Sequence, residues 1–273
     1  MLAMSLGMLL IVSTVPAVLT MAGSGFVSST PGILLTQAVT QLTSFLVPVL
    51  LMTYIYYRGN QREYYRLDFS LGKWGYALAG VVVLLLLLPA IDWLTVWNNG
   101  WNLGRVGEWL RSVQDMTEGL VQQMMSTSTV GGLLANLLVV ALIPAVCEEV
   151  FFRAGIQNLL QRWFKNGHAA IWVTAVIFSL GHGELFSFMP RLLMGAVLGY
   201  LYVYGGSILP NMLAHFVNNA IVVVTYWLSA RGIVDFDPEA PLAVNETLTA
   251  CCALAAVGIL YSTFLMPTKK NSL

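Results

Sequence analysis

The sequence predicts an all-α, polytopic membrane protein of about eight transmembrane helices with one interfacial amphipathic helix. Three observations predict it. Apolar residues make up 58% of the 273 residues and charged residues only 10%, where a soluble domain carries about 25% charge. The apolar residues come in runs of about 20, the length that crosses ~30 Å of hydrocarbon. One stretch between the third and fourth runs instead interleaves apolar and charged residues at helical spacing.

The runs fall at approximately 2–22, 33–57, 74–97, 130–151, 169–189, 191–204, 208–229 and 246–266. The first has no Lys or Arg ahead of it and no small-x-small cleavage site, so it reads as a retained helix rather than a signal peptide. The sixth is short and ends at Gly205-Gly206, and Pro190 and Pro210 sit where helices begin, positions that tolerate a missing N–H. Residues 1–125 hold the first three spans and the amphipathic segment; 126–273 hold the other five. The fourth run continues its helical period through Ile156, Leu159, Leu160 and Trp163 to about Phe164.

In the segment Arg105–Met125, Val106, Trp109, Leu110, Val113, Leu120, Val121 and Met124 recur at helical spacing among Glu108, Arg111, Asp115 and Glu118. That pattern fits a helix lying on the outer interface or one packed on the protein's own loops. Basic residues concentrate on one side: Arg58, Arg62, Arg66, Lys73, Arg153, Arg162, Lys165, Lys269 and Lys270, against Arg105, Arg111, Arg191 and Arg231. The bias places both termini in the cytoplasm; in a bacterium the membrane would be the inner one. Net charge is zero, so no basic patch calls for nucleic acid. Cys147, Cys251 and Cys252 all lie in apolar runs and read as small packing residues.

A charge inside a span costs about 2.5–3.5 kcal/mol on insertion scales, so the intramembrane ionisable residues demand an explanation. Glu148, Glu149 and Arg153 fall in the fourth run, His182 in the fifth and His215 in the seventh. Glu149 and Arg153 are at i,i+4 in the favourable order for an ion pair. Adjacent Glu148 and Glu149 point about 100° apart, which leaves Glu148 outside that pair and free to take and return a proton. Phe178 and His182 share a face, as do His215 and Asn219. In an antiparallel hairpin Glu148 and His182 are level, because their midpoint is position 165, in the turn sequence Lys165-Asn166-Gly167. His215 lies about 15 Å from the Gly205-Gly206 turn at 1.5 Å per residue. A site formed by Glu148, His182, His215 and Asn219 would then be approached from the basic, cytoplasmic side. Glu184, Asp92, Asn211 and Asn218 read as ordinary polar residues, and His168 as a surface residue. Tyr56, Tyr57, Trp74 and Trp97 read as interface anchors.

Glu148-Glu149-x-x-x-Arg153, Phe178-x-x-x-His182 and His215-x-x-x-Asn219, in that order on separate spans, resemble the three motifs of the CPBP intramembrane proteases, the CAAX protease or Abi family. The resemblance implies an endopeptidase acting on a membrane-associated or lipid-anchored peptide or protein at the bilayer. Glu148 would activate water, His182 would hold the water or the scissile region, and His215 and Asn219 would stabilise the oxyanion. Glu149, Arg153 and Phe178 would support them. The 33-residue interval between the two histidines departs from the eukaryotic pattern. No cofactor is favoured. Glu148, His182 and His215 would also suit zinc or another divalent metal, although Glu148 would then have to serve as both ligand and base. A proton- or ion-coupled transporter is the other class that intramembrane Glu, His and Arg suggest, and a non-cleaving binding protein on this scaffold is a third. No internal repeat supports the transporter.

Overall fold

A computed structural model describes residues 25–26, 28–57, 59–68, 70, 72–235, 240 and 245–265. Among these, all regular structure is helical. In chain order the helices are α1 (Thr30–Tyr56), α2 (Gly72–Asn99), α3 (Gly104–Met125), α4 (Val130–Phe164), α5 (Gly167–Gly181), α6 (Phe188–Gly205), α7 (Leu209–Ala230) and α8 (Glu246–Leu260). Six of them are long and apolar enough to cross a bilayer, α1, α2, α4, α6, α7 and α8, and α5 is a shorter apolar helix. The protein is therefore an all-helical polytopic membrane protein. The predicted first span, 2–22, lies outside the described residues.

In two spans a wide π-helical turn, Leu42–Leu46 in α1 and Leu137–Leu142 in α4, runs directly into a proline, Pro48 or Pro144. A proline ring clashes with the carbonyl four residues earlier and removes one ladder bond. Widening the preceding turn relieves the clash without breaking the helix. A third wide turn, Val150–Gln157, follows Glu149 directly. The two glutamates thus sit between two distorted turns.

The α4–α5 hairpin turns where the sequence places it. Lys165 is left-handed at φ 51°, and Asn166 caps α5 by accepting from the Ala169 N–H. The break between α5 and α6 falls earlier than predicted. It lies at His182–Glu184 and not near residue 190, because α5 stops at Gly181 and Gly183 takes φ 72°. Leu185–Ser187, apolar enough to extend a span, instead forms a 3-10 turn. Its Phe186 is buried under the Arg111 guanidinium, 3.9 Å from the ring centroid. α6 is correspondingly longer than predicted, with Pro190 in its first turn.

The bundle has two distinct ends. At one, the segment 57–68 meets the ends of α4 and α6: Asn158 donates to the Tyr64 carbonyl, Arg66 to the Tyr202 carbonyl, and Ser207 to the Asp68 carbonyl. This is the basic end. At the other, Asn98 ties α2 to Leu185 and Met189, Gln123 reaches the Ser28 carbonyl, and Trp227 donates to the Thr129 carbonyl. α3 lies at this second end and packs against α1, α7 and the Leu185–Ser187 turn.

Candidate active site

Glu148 and Glu149 are both buried in α4, at 5% and 0% exposure. Arg153 is also fully buried, and its Nε donates to Glu149 Oε2 at 3.0 Å, so the expected i,i+4 pair forms inside the bundle. Glu149 does more than pair with Arg153. Its Oε1 lies 3.0 Å from His215 Nδ1, and Asn211 donates to its Oε2 at 3.3 Å. Asn211 also donates to the Leu198 carbonyl. Arg153 Nη1 in turn donates to Gln157 Oε1 at 3.1 Å, and Gln157 donates to the Gly199 carbonyl at 3.0 Å. A buried chain of polar contacts therefore runs from α6 through α4 to the imidazole on α7.

Glu148 faces the other nitrogen of that imidazole. Its Oε2 is 3.9 Å from His215 Nε2 and 3.8 Å from His182 Nε2. The two adjacent carboxylates point apart, as helical geometry requires, yet one ring spans the angle and meets both. Gln41 of α1 donates to Glu148 Oε1 at 3.0 Å. His182 is the residue that ends α5 rather than one inside a span. Its Nδ1 is 2.7 Å from the Phe178 carbonyl; a carbonyl only accepts, so Nδ1 carries a proton, and in the neutral ring Nε2 then presents a lone pair towards Glu148. The buried Phe178 ring packs edge-on to both imidazoles, at 4.8 Å from His182 and 6.2 Å from His215. Asn218 donates to Asn219 Oδ1 at 3.3 Å, which leaves the Asn219 Nδ2 as its donor end.

Glu148, His182, His215 and Asn219 line a single cavity of about 550 Å³. The approach to it differs from the sequence expectation. Thr117, Val121 and Met124 of α3 line it, together with Glu184 of the α5–α6 connection and Arg191 in the first turn of α6. All of these belong to the end opposite the basic loops. Towards the basic end the bundle is plugged by packed side chains, among them Tyr65, Phe151, Phe152, Tyr202 and Ile208. Arg153 is also not a loop residue, so it drops out of the count of basic side charges.

Four residues read as ordinary or passed over belong to this arrangement. Asn211 holds Glu149, Asn218 orients Asn219, Glu184 pairs with Arg191 at the cavity wall, and Gln41 holds Glu148. Spacing carried a signal for some of them. Asn211, His215 and Asn219 recur every four residues, as do Glu149, Arg153 and Gln157, and Gln37 with Gln41 puts two amides on one face of an apolar span. His168, by contrast, is exposed at the basic end, between Tyr200 and Tyr204.

Glu148, His182 and His215 are the candidate metal ligands of the site. Ligands about 2.0–2.1 Å from zinc sit roughly 3.3–3.4 Å apart in a tetrahedron, and the Glu148–imidazole separations of 3.8 and 3.9 Å are wider. Among the described residues no group of three His, Cys, Asp or Glu is disposed to hold a metal ion.

No curated protein and no solved structure matches the chain. Residues 130–221, from the start of α4 into α7, match the family model described as type II CAAX prenyl endopeptidase Rce1-like. The matched stretch contains all three motifs, from Glu148 to Asn219, and over these residues the chain is similar to that family.

Proposed function

We propose that the protein is an intramembrane endopeptidase in which Glu148 activates water against a peptide bond of a membrane-associated or lipid-anchored substrate. The observation that carries this reading is the convergence of the Glu148 carboxylate and two imidazole Nε2 atoms on one cavity. Separations of 3.8 and 3.9 Å are too long for direct hydrogen bonds and suit groups bridged by one water. Such a water donates one hydrogen to Glu148 Oε2 and the other to the His182 Nε2 lone pair, which turns its own lone pair towards a substrate carbonyl.

Glu148 takes the proton as the water oxygen bonds to the carbonyl carbon. The carbonyl oxygen then carries the negative charge. Asn219 Nδ2 donates to it, and so does His215 Nε2–H when the ring is an imidazolium. Charge balance supports that form. Glu148, Glu149 and Arg153 alone would leave one uncompensated negative charge in an apolar interior, and a positive His215 brings the cluster to neutrality. As the C–N bond breaks, Glu148 returns its proton to the leaving amine, giving a new carboxylic acid, which keeps the second water hydrogen until it ionises to solvent, and a new amine. Glu149 acts through His215 and is a positioning residue, as are Arg153, Asn211 and Gln157. This mechanism uses no metal. Both termini lie in the cytoplasm on this reading.

The test is Glu148→Gln in purified, liposome-reconstituted protein, assayed on a pool of membrane-anchored peptides by mass spectrometry. The variant keeps its shape and insertion, and cleavage falls by about 10²-fold or more, the scale of lost general-base catalysis. Near-normal cleavage would remove Glu148 from the chemistry.

A further inference from the structure

The loop charges and the position of the cavity point in opposite directions. In the sequence, Arg58, Arg62, Arg66, Lys73, Arg162, Lys165, Lys269 and Lys270 fall in the loops and tail that the basic bias assigns to one side, and of the described ones Arg66 donates to the Tyr202 carbonyl at the basic end. Four belong to the other, and three of those are engaged within the protein: Arg111 donates to Asn99 and covers Phe186, Arg191 pairs with Glu184, and Arg231 lies over the Trp227 ring. Short loops rich in Lys and Arg stay in the cytoplasm. The cavity is lined from the other end, beneath α3, and the packed plug separates it from the basic end.

α3 marks where that end meets the bilayer surface. At 100° per residue it has three faces. Gly107, Gln114 and Met124 are buried against the protein, and Thr117, Val121 and Met124 face the cavity. The next face carries Val106, Trp109, Val113, Met116 and Leu120, all exposed. The third carries Arg105, Glu108, Ser112, Asp115 and Gln122, also exposed. A helix with one side against protein, one apolar and one polar lies at the boundary of hydrocarbon and water. The cavity is thus roofed by an interfacial helix of the noncytoplasmic leaflet.

Resting on the peptidase reading, we infer that the site takes its substrate from the noncytoplasmic side: a membrane-anchored peptide whose scissile bond has already been carried across the bilayer. The reaction that must supply such a substrate is translocation or membrane insertion, not modification at the cytoplasmic surface.

Single cysteines test this without any need for catalysis. In a chain carrying Cys251→Ala and Cys252→Ala, Glu108→Cys and Asp115→Cys sit on the polar face of α3, Glu63→Cys in the basic loop, and Thr117→Cys in the cavity wall. Intact bacterial cells expressing each variant are treated with a membrane-impermeant thiol reagent of methanethiosulfonate size. The inference expects labelling at 108, 115 and 117 in intact cells, and at 63 only after permeabilisation. Labelling at 63 with silence at 108 and 115 overturns the orientation. Labelling at 108 and 115 with silence at 117, before and after permeabilisation, overturns the opening. Adding Glu148→Gln leaves the pattern unchanged, so a failed peptidase assay and a failed topology are told apart.

Discussion

Arg153 and Glu149 are both fully buried, so neither can turn to water when the other is lost. Removing one partner of a buried pair typically costs about 3–5 kcal/mol, whereas replacing both can cost far less. Glu149→Gln and Arg153→Met are therefore each expected to lower thermal stability in detergent, and the double variant to lose clearly less than the two combined. A coupling near zero in that double-mutant cycle would remove the ion-pair claim. Glu149→Gln should also lower turnover more than substrate affinity, because it releases His215 and leaves the cavity wall in place. At this scale the charged part of the site was legible in the sequence, since a buried charge is costly enough to need a reason. Gln41, Asn211 and Gln157 were not, because an amide in a span costs less and stands out less.

Among the elements, α4 carries most of the distortion, and its two wide turns flank the glutamates. Pro144 accounts for the first of them, but the turn after Glu149 has no proline and no such signal. The α5–α6 break was misplaced because Leu185 and Phe186 are as apolar as a span; tertiary contacts hold the turn, Asn98 at the Leu185 carbonyl and Arg111 over the Phe186 ring. α6 approaches α4 and α5 through glycines. A Cβ at Gly199 would lie 2.8 Å from Ile171 Cγ2 and 3.2 Å from Gln157 Oε1, so the close approach itself requires glycine. Gly199→Val is expected to displace Gln157 and loosen Arg153, costing about 1–3 kcal/mol as overpacking does, with a parallel fall in activity. A variant as stable and active as wild type would show that α6 does not support the buried chain.

For the whole molecule, composition and run length made the membrane architecture legible, and the motifs made the position of the site legible within α4, α5 and α7. The direction of approach was not, because loop spacing gives depth but not packing, and the plug of Tyr65, Phe151, Phe152, Tyr202 and Ile208 forms only when four separate parts of the chain meet. Metal dependence is likewise a property of the intact protein. Purified wild type is expected to hold well below one equivalent of zinc and to keep its activity after chelation and removal of the chelator. Stoichiometric metal lost in both His182→Ala and His215→Ala, with activity restored only by adding metal back, would make Glu148 a ligand instead of a lone base.

Cleavage by Glu148-activated water can be read in membranes from cells expressing the wild type and Glu148→Gln at equal levels, by comparing the new peptide termini in the two. It predicts a set of new termini beside hydrophobic segments that appears with the wild type and is lost in the variant. The same termini at the same abundance in both would contradict it.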